Sequence, residues 1–198
     1  MRKLFTAVTV ALLATSAHAQ SVPTCADLPD QAALKAALKA ATSAQNGGFA
    51  LPMWGTIVDR SGTVCAVAYS GDTVDAQWPG SRVISAQKAN TANAFSLVGL
   101  ALSTANLYSA VQPGGSLFGL QESNPVNTAV AYAGNMKDFG TAADPMAGKR
   151  IGGVNVFGGG LALYNAKGAI IGGLGVSGDS SCADHNIAWR VRNTLKLD

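Results

Sequence analysis

Charged residues are scarce in this sequence, and basic residues are not clustered. Only 13% of the residues are charged, and 14 Lys and Arg stand against 11 Asp and Glu. Beyond the first residues the only adjacent basic pair is Lys149–Arg150. Nucleic acids and anionic membranes bind to patches of Lys and Arg, so neither is expected as a partner. A surface with so few charges favours self-association, and we therefore expect a homo-oligomer.

Long apolar runs are absent after the first 20 residues, so no membrane insertion is expected, because a spanning helix needs about 20 apolar residues. The N-terminal stretch begins with two basic residues, continues with an apolar run over 4–14 and ends in Ala-His-Ala. This pattern predicts a secretory signal peptide, 1–19, cleaved after Ala19. Residues 20–198 would then be one exported domain, periplasmic or secreted, whose formal net charge falls from +3 to about +1.

Histidine and cysteine are also scarce, with two and three residues. Cleavage of the signal peptide would leave His185 as the only imidazole. A hydrolase would need it to activate Ser180 or Ser181, but a base four or five residues away on the same helix start is hard to aim at the hydroxyl. A structural zinc site needs about four ligands, and no second His or Cys-x-x-Cys completes a set. Neither a hydrolase nor a zinc site is expected.

Hydrophobic periodicity predicts an α+β fold. The stretch "LPDQAALKAALKAATSAQNGG" is typical of a helix capped by Asp30, and "MWGTIVDRSGTVCAVAYSG" is typical of a β-hairpin that turns at 59–62. Two helical stretches follow between 81 and 110, separated near Gly99. Two or three further strands and a C-terminal helix complete the chain after residue 150. Strands joined by tight turns form an antiparallel sheet on which the helices pack.

The topology favours one disulfide among the three cysteines. Exported compartments are oxidising, and three thiols allow at most one intramolecular bridge. A helix that leads into the first strand through a short loop runs antiparallel to that strand, so the start of the helix returns to the hairpin. Cys25 lies near the start of the helix and Cys65 begins the second strand, and the two are therefore expected to be close. We predict this bridge, which would close a loop of roughly 40 residues and stabilise the fold by about 3–4 kcal/mol. The alternative is two unpaired buried thiols.

Residues 112–150 form a long stretch rich in Gly, Pro and Asn with weak periodicity. We interpret it as an insertion or loop. A loop of this length within a domain is usually functional or packs against a partner.

The segment "SSCADH" near the C-terminus has two interpretations. As a helix start, Ser180 or Ser181 would cap the helix and Asp184 would complement its dipole. As a functional site, Cys182 and His185 would share one helix face and ligate the metal of a captured cofactor. Thiols at helix N-termini ionise more readily than ordinary thiols, which makes them better ligands.

Glycine is concentrated in three stretches of the sequence, 113–119, 156–164 and 173–178. "GLGVSG" at 173–178 matches the dinucleotide-binding pattern, but no parallel strand with an acidic residue follows it. These glycines are instead expected to let the backbone pass close to a ligand or a neighbouring subunit. Glycines around phenylalanine at 113–119 and 156–164 predict apolar slots for a flat ligand with carboxylates. Individual aromatic residues are otherwise predicted to be core: Trp54, Trp78, Trp189, Phe95, Phe118 and Phe157.

Three segments carry a family resemblance: "VDRSGTVCAVAYSG" (58–71), "SAQKANTANAFS" (85–96) and "GGGLALYNAKGAIIGGLGVSG" (158–178). Together they resemble the heme-binding GlcG/HbpS family over nearly the whole chain from Gln31 onward. The resemblance implies a profilin-like fold with a five-stranded antiparallel β-sheet, homo-oligomers, and heme binding by some members. Lys88 and the glycines Gly158, Gly159 and Gly160 transfer as structural or site-lining positions, whereas the iron ligand does not transfer.

The leading hypothesis is an exported heme-binding protein for storage, scavenging or redox sensing. His185 or Cys182 would bind the iron, since they are the softest donors. Lys88 or Arg82 would pair with the heme propionates, and Phe118 would line the site. One alternative is a small thiol-dependent or redox enzyme using Cys182. The other is an interaction protein that docks a partner through 112–150 and binds no small ligand.

Overall fold

Four antiparallel strands form the sheet in the computed structural model, which describes residues 22–198. The strands lie in the order β2-β1-β4-β3 and comprise β1 (Trp54–Asp59), β2 (Val64–Tyr69), β3 (Gly160–Tyr164) and β4 (Ile170–Ser177). The predicted α+β class and the hairpin at 59–62 are confirmed. The signal peptide predicted for 1–19 lies outside the described residues.

The expected fifth strand is wrong for the described part of the chain. The segment before β3 makes only one isolated bridge, between Val126 and Gly152. Its backbone has positive φ at Gly152 (63°) and Gly153 (80°), a conformation that interrupts an extended strand. After β2, the chain therefore returns to the sheet only at Gly160.

Within residues 22–198, five α-helices surround the sheet: α1 (Gln31–Thr42), α2 (Ser81–Phe95), α3 (Thr104–Leu107), α4 (Thr128–Ala131) and α5 (Ser181–Thr194). Asp30 caps α1 as predicted, because its side chain accepts a hydrogen bond from the amide of Ala33. Of the two predicted caps for α5, Ser180 is the one used, and it accepts from the amide of Ala183 at 3.3 Å. The second helical stretch predicted before residue 110 shortens to α3 and a 3₁₀ turn. In residues 22–198 no helix is long and apolar enough to cross a bilayer.

The side chains of β1 alternate between two apolar layers. Ile57 faces α1 and α5, where Leu34 and Ile187 are buried. Trp54 and Val58 face the other side, towards α2. Because the strand is covered on both faces, all six of its residues are buried.

Glycines in β4 let helix α2 pack directly on the strand. A Cβ atom at Gly173 would overlap the carbonyl oxygen of Ala89, and one at Gly175 would overlap the carbonyl oxygen of Ser85. The close approach predicted for the glycines of "GLGVSG" is therefore present, but the approaching backbone is that of the protein's own helix. The prediction of a ligand or neighbouring subunit at these two positions is corrected accordingly.

Replacing Gly175 by alanine is expected to lower the free energy of unfolding by about 1–3 kcal/mol, the usual cost of overpacking a core. The backbone of α2 must move to admit the methyl group. Urea denaturation measures this change. Gly80→Ala is the matched control, since a Cβ there meets no atom within 4 Å and φ is −63°. Equal stability of the two variants would contradict the direct contact.

The predicted Cys25–Cys65 disulfide is present. It joins two cysteines separated by 40 residues, with their Cα atoms 5.2 Å apart. It ties the short 3₁₀ helix before α1 to the second strand of the hairpin. Cys182 is exposed and has no disulfide partner among the described residues.

The 112–150 segment packs on its own domain. Ala131 and Met146 are fully buried in the layer beside α2. Asp144 is buried as well and accepts hydrogen bonds from the amides of Gly140 (2.7 Å) and Met146 (2.9 Å). The segment therefore completes the core on the α2 side of the sheet.

Candidate functional site

A cavity lies at the start of α5, and we call it the α5 pocket. Its volume is about 480 Å³, within the range of small-ligand sites. Its wall is largely apolar and comes from α3, the segment before β3, and α5; the lining residues are Ala105, Tyr108, Val156, Phe157, Gly158, Ser181, Cys182, His185 and Asn186. Both predicted iron donors, Cys182 and His185, lie in this wall.

Three consecutive glycines bring the chain past α5 into β3. A Cβ atom at Gly158 would overlap the carbonyl oxygen of Ser181 and lie 3.2 Å from the Cβ of His185. Gly159 has a φ of 115°, and a Cβ there would overlap the carbonyl oxygen of Val176. These residues were predicted as structural or site-lining positions. Gly158 lines the α5 pocket, while Gly159 lies behind it.

Thr104 fixes the segment that carries Phe157. Its hydroxyl accepts a hydrogen bond from the amide of Gly160 at 2.9 Å and donates one to the carbonyl of Phe157. The Phe157 ring then lies 6.2 Å from the ring of Tyr108, tilted by 32°. Both rings are about half exposed, at 51% and 47%, so their free faces form an aromatic wall of the pocket.

His185 is held in the pocket without a hydrogen bond to its inner nitrogen. Its Nδ1 atom is buried and has no hydrogen-bond partner among the described residues. Burial, followed by the positive charges of Arg192 and Lys88, lowers the pKa of His185 below its ordinary value. The imidazole is therefore kept neutral at neutral pH, the form that can bind a metal.

Cys182 is the second donor on this wall. It lies one helical turn before His185, is exposed, and faces the same pocket. The amides of Ser181 and Cys182 occupy the first two positions of α5, where the helix offers no acceptor. The pocket thus has a thiol and an imidazole beside the positive end of a helix dipole, where the first amides of α5 have no acceptor within the helix.

A buried ion pair lies beside the α5 pocket. The Nζ atom of Lys88 donates to a carboxylate oxygen of Asp184 at 2.6 Å and to the carbonyl of Val176 at 3.1 Å, and both charged side chains are at most 3% exposed. Burial raises the pKa of Asp184, and the charge of Lys88 only partly offsets it. Burial likewise lowers the pKa of Lys88. The pair therefore carries a desolvation cost that its own attraction does not remove.

The Lys88–Asp184 pair also borders a second, smaller recess of about 260 Å³. Phe157 and Ser181 line both cavities. Trp78, which is 52% exposed, lines the recess but not the α5 pocket. Phe157 therefore stands between the two cavities.

The predicted pairing of Lys88 or Arg82 with ligand carboxylates has no support in this geometry. Arg82 forms a buried ion pair with Asp144 and donates to the carbonyl of Ala131 at 2.9 Å. Its guanidinium also stacks 3.7 Å from the ring centroid of Phe139. Lys88 is near the pocket but is held by Asp184. Both cations balance buried carboxylates of their own domain.

Phe118 is not brought to the pocket. It is 68% exposed and belongs to the 112–150 segment, outside the residues that line the α5 pocket. The expectation that single aromatic residues are core holds for Trp54 but is wrong for four of them. Trp78, Trp189, Phe118 and Phe157 are all at least half exposed.

Ala105 and Tyr108 are among the wall residues that the sequence prediction missed. A signal for them exists, because Ser103 and Asn106 form a capping box that starts α3. In a helix starting there, Thr104 and Leu107 are buried, and Ala105 and Tyr108 lie three residues apart on the outer face.

Comparison with solved structures shows the same fold in three proteins. The crystal structure of a PduOC–heme complex is 26% identical, with a TM-score of 0.57, and the match covers 84% of this chain and 92% of that one. Klebsiella pneumoniae protein ORFY is 24% identical, with a TM-score of 0.59 and coverage of 95% and 99%. HbpS is 18% identical, with a TM-score of 0.54 and coverage of 94% and 99%.

Sequence comparison gives the family. No curated protein sequence matches the chain at the significance required. Residues 28–192, however, match the family described as haem degrading protein HbpS-like. This match spans the sheet, the α5 pocket and both buried ion pairs. The chain therefore belongs to the HbpS-like family.

Proposed function

We propose that this protein binds heme in the α5 pocket. The observation that carries the proposal is a neutral imidazole, His185, in an apolar pocket with an aromatic wall. Membership of the HbpS-like family and the fold shared with a PduOC–heme complex support it. Heme is flat and mostly apolar, so the exposed faces of Tyr108 and Phe157 suit its ring.

The residues of the pocket fit the group. Because the Nδ1 atom of His185 is buried, the other ring nitrogen, Nε2, is the one available to a ligand, and it makes no hydrogen bond to the described residues. His185 is the proposed iron ligand, and Cys182 is a second donor on the same helix face. The free amides of Ser181 and Cys182 would receive the propionates, since helix N-termini bind carboxylates. Bound heme would supply an iron centre able to change oxidation state, as redox sensing requires, whereas heme storage or scavenging would require only binding and release of the group.

We further propose that the protein is exported. The N-terminal pattern over 1–19 predicts a secretory signal. The Cys25–Cys65 disulfide supports the proposal, because such bridges persist in oxidising compartments. We also propose self-association, supported by exposed apolar side chains such as Val98, which is 75% exposed.

Hemin titration tests the proposed site. The wild-type protein is expected to give a saturable Soret shift with one heme per chain. Ala105→Trp fills the pocket from α3 and should weaken binding at least about tenfold, or ~1.4 kcal/mol. Ala32→Trp, at an exposed position of α1, is the matched control and should bind as the wild type does. A wild type without a Soret shift, or an Ala105→Trp variant that binds normally, would contradict the proposal.

A further inference from the structure

The carboxylate of Asp59 lies beside the Cys25–Cys65 disulfide. Asp59 ends β1, and one of its carboxylate oxygens lies with the sulfur atoms of Cys25 and Cys65 in a cluster whose atoms are all within 4.8 Å of one another. None of these residues lines the α5 pocket. The cluster is thus a separate group of ligand-type atoms.

The two oxygens of Asp59 have different surroundings. Oδ1 accepts hydrogen bonds from the amides of Ser61 (2.8 Å) and Thr63 (2.9 Å) and from the hydroxyl of Ser61 (2.7 Å). Among the described residues, the only atom placed to hydrogen-bond with Oδ2 is the Sγ atom of Cys25, at 3.9 Å. A disulfide sulfur has no hydrogen to donate, so Oδ2 is without a donor although Asp59 is only 6% exposed. The carboxylate of a buried residue is expected to have partners for both of its oxygens.

We propose that reduction of the Cys25–Cys65 disulfide converts this cluster into a divalent-metal site of the zinc type. The two thiolates and Oδ2 of Asp59 would be three ligands, and water would take the fourth position of a tetrahedral site. The metal would supply the positive partner that Oδ2 lacks in the oxidised protein. Oδ1 would keep its hydrogen bonds to the turn. Hydrogen bonds of this kind orient the ligating carboxylates of metal sites.

The chemistry balances with a dithiol as the reductant. The disulfide accepts two electrons and two protons to give two thiols, while the dithiol is oxidised to its own disulfide. Metal binding then releases the two thiol protons to solvent, because only thiolates ligate strongly.

The local structure permits the change. Metal binding requires the two sulfurs to separate beyond bonding distance. Cys25 belongs to the 3₁₀ helix Cys25–Asp27, which contains no buried residue, so it can shift without disturbing the core. Both cysteines are partly exposed, which gives the ion access. The hairpin would then be tied to the chain before α1 in either redox state, by a covalent bond or by a metal.

Cobalt binding tests the proposal, with Cys182→Ser as the parent protein so that no other thiol contributes. The protein is reduced with a dithiol, freed of reductant without oxygen, and titrated with Co²⁺. We expect one Co²⁺ per chain, a thiolate-to-cobalt charge-transfer band, displacement by Zn²⁺, and a higher melting temperature of the reduced protein. The oxidised protein should show none of these changes.

The variants Asp59→Asn and Asp27→Asn test whether the carboxylate of Asp59 itself binds the metal. Asp59→Asn keeps an oxygen for Ser61 and Thr63 and should weaken Co²⁺ binding at least about tenfold. Asp27→Asn, in the same 3₁₀ helix, should bind as the parent does. Should the reduced protein lose its fold, Co²⁺ is expected to restore it, as read by near-ultraviolet circular dichroism. No charge-transfer band, equal affinity of Asp59→Asn, or a reduced protein that Co²⁺ fails to refold would each overturn the proposal.

Discussion

Replacing Lys88 by methionine is expected to lower the free energy of unfolding by about 3–5 kcal/mol. Methionine keeps the length of the side chain but removes the ammonium group that balances Asp184. The carboxylate is then left buried, charged and unpaired, and burial already raises its pKa in the intact protein. Equilibrium denaturation in urea at pH 7 measures the loss.

The pH dependence of this loss follows from the same shift. An acid whose pKa is raised by folding favours the folded state below its ordinary pKa, about 3.9, and opposes folding as the pH rises through the folded value. The cost of Lys88→Met should therefore be smaller at pH 4 than at pH 7. The double variant Lys88→Met, Asp184→Asn should recover most of the stability, because the asparagine can still accept from the amide of Asp179. A cost that is the same at both pH values, or that the second change does not relieve, would contradict an unbalanced carboxylate.

Replacing His185 by alanine is expected to weaken hemin binding at least about tenfold, or ~1.4 kcal/mol, and to change the Soret maximum. The substitution removes the imidazole but leaves the aromatic wall and the helix N-terminus. Because the pKa of His185 is lowered, its neutral form persists below pH 6.5, and wild-type binding should persist there too. Binding should fall only at lower pH, where the ring becomes protonated and can no longer ligate iron.

Cys182→Ser is the matched control for this prediction, since it removes the other donor on the same helix face. It should leave the Soret maximum and its pH dependence unchanged. Free imidazole added to His185→Ala should restore the wild-type spectrum by occupying the vacated space. An unchanged spectrum in His185→Ala, together with a changed one in Cys182→Ser, would assign the iron to the thiol.

Elements with local signals were predictable from the sequence. Asp30 marks the start of α1, and the turn after Asp59 sets the hairpin. The Cys25–Cys65 bridge followed from these two elements, because a helix leading into a strand returns its start to the hairpin. Cys182 and His185 were found as neighbours for the same reason, since one helical turn brings them to one face.

Features that depend on distant parts of the chain were not predictable in this way. Lys88 and Asp184 are 96 residues apart, and Asp184 at a helix start is more simply interpreted as a partner of the dipole. A weaker signal does exist, because Asp184 is in phase with the buried residues Ile187 and Val191 of α5. A carboxylate on the buried face of a helix needs a buried cation as its partner. The sequence of the helix does not identify which cation that is.

The missing fifth strand has a similar origin. Family resemblance supplied that number, whereas the chain before β3 turns at two glycines with left-handed φ. The exposure of Phe157 also depends on tertiary packing. Thr104, from another segment, holds its backbone in place, and nothing within "VFGGG" indicates that the ring remains outside the core.

The glycine contacts between β4 and α2 also bear on how the molecule opens. Because Ser85 and Ala89 touch the strand through their main chains, no layer of side chains separates the two elements and could yield by changing rotamers. β4 is bordered by β1 and β3, and all eight of its residues are buried. We therefore expect solvent deuterium to reach its amides only when the domain unfolds, so that this strand exchanges among the slowest of the described elements.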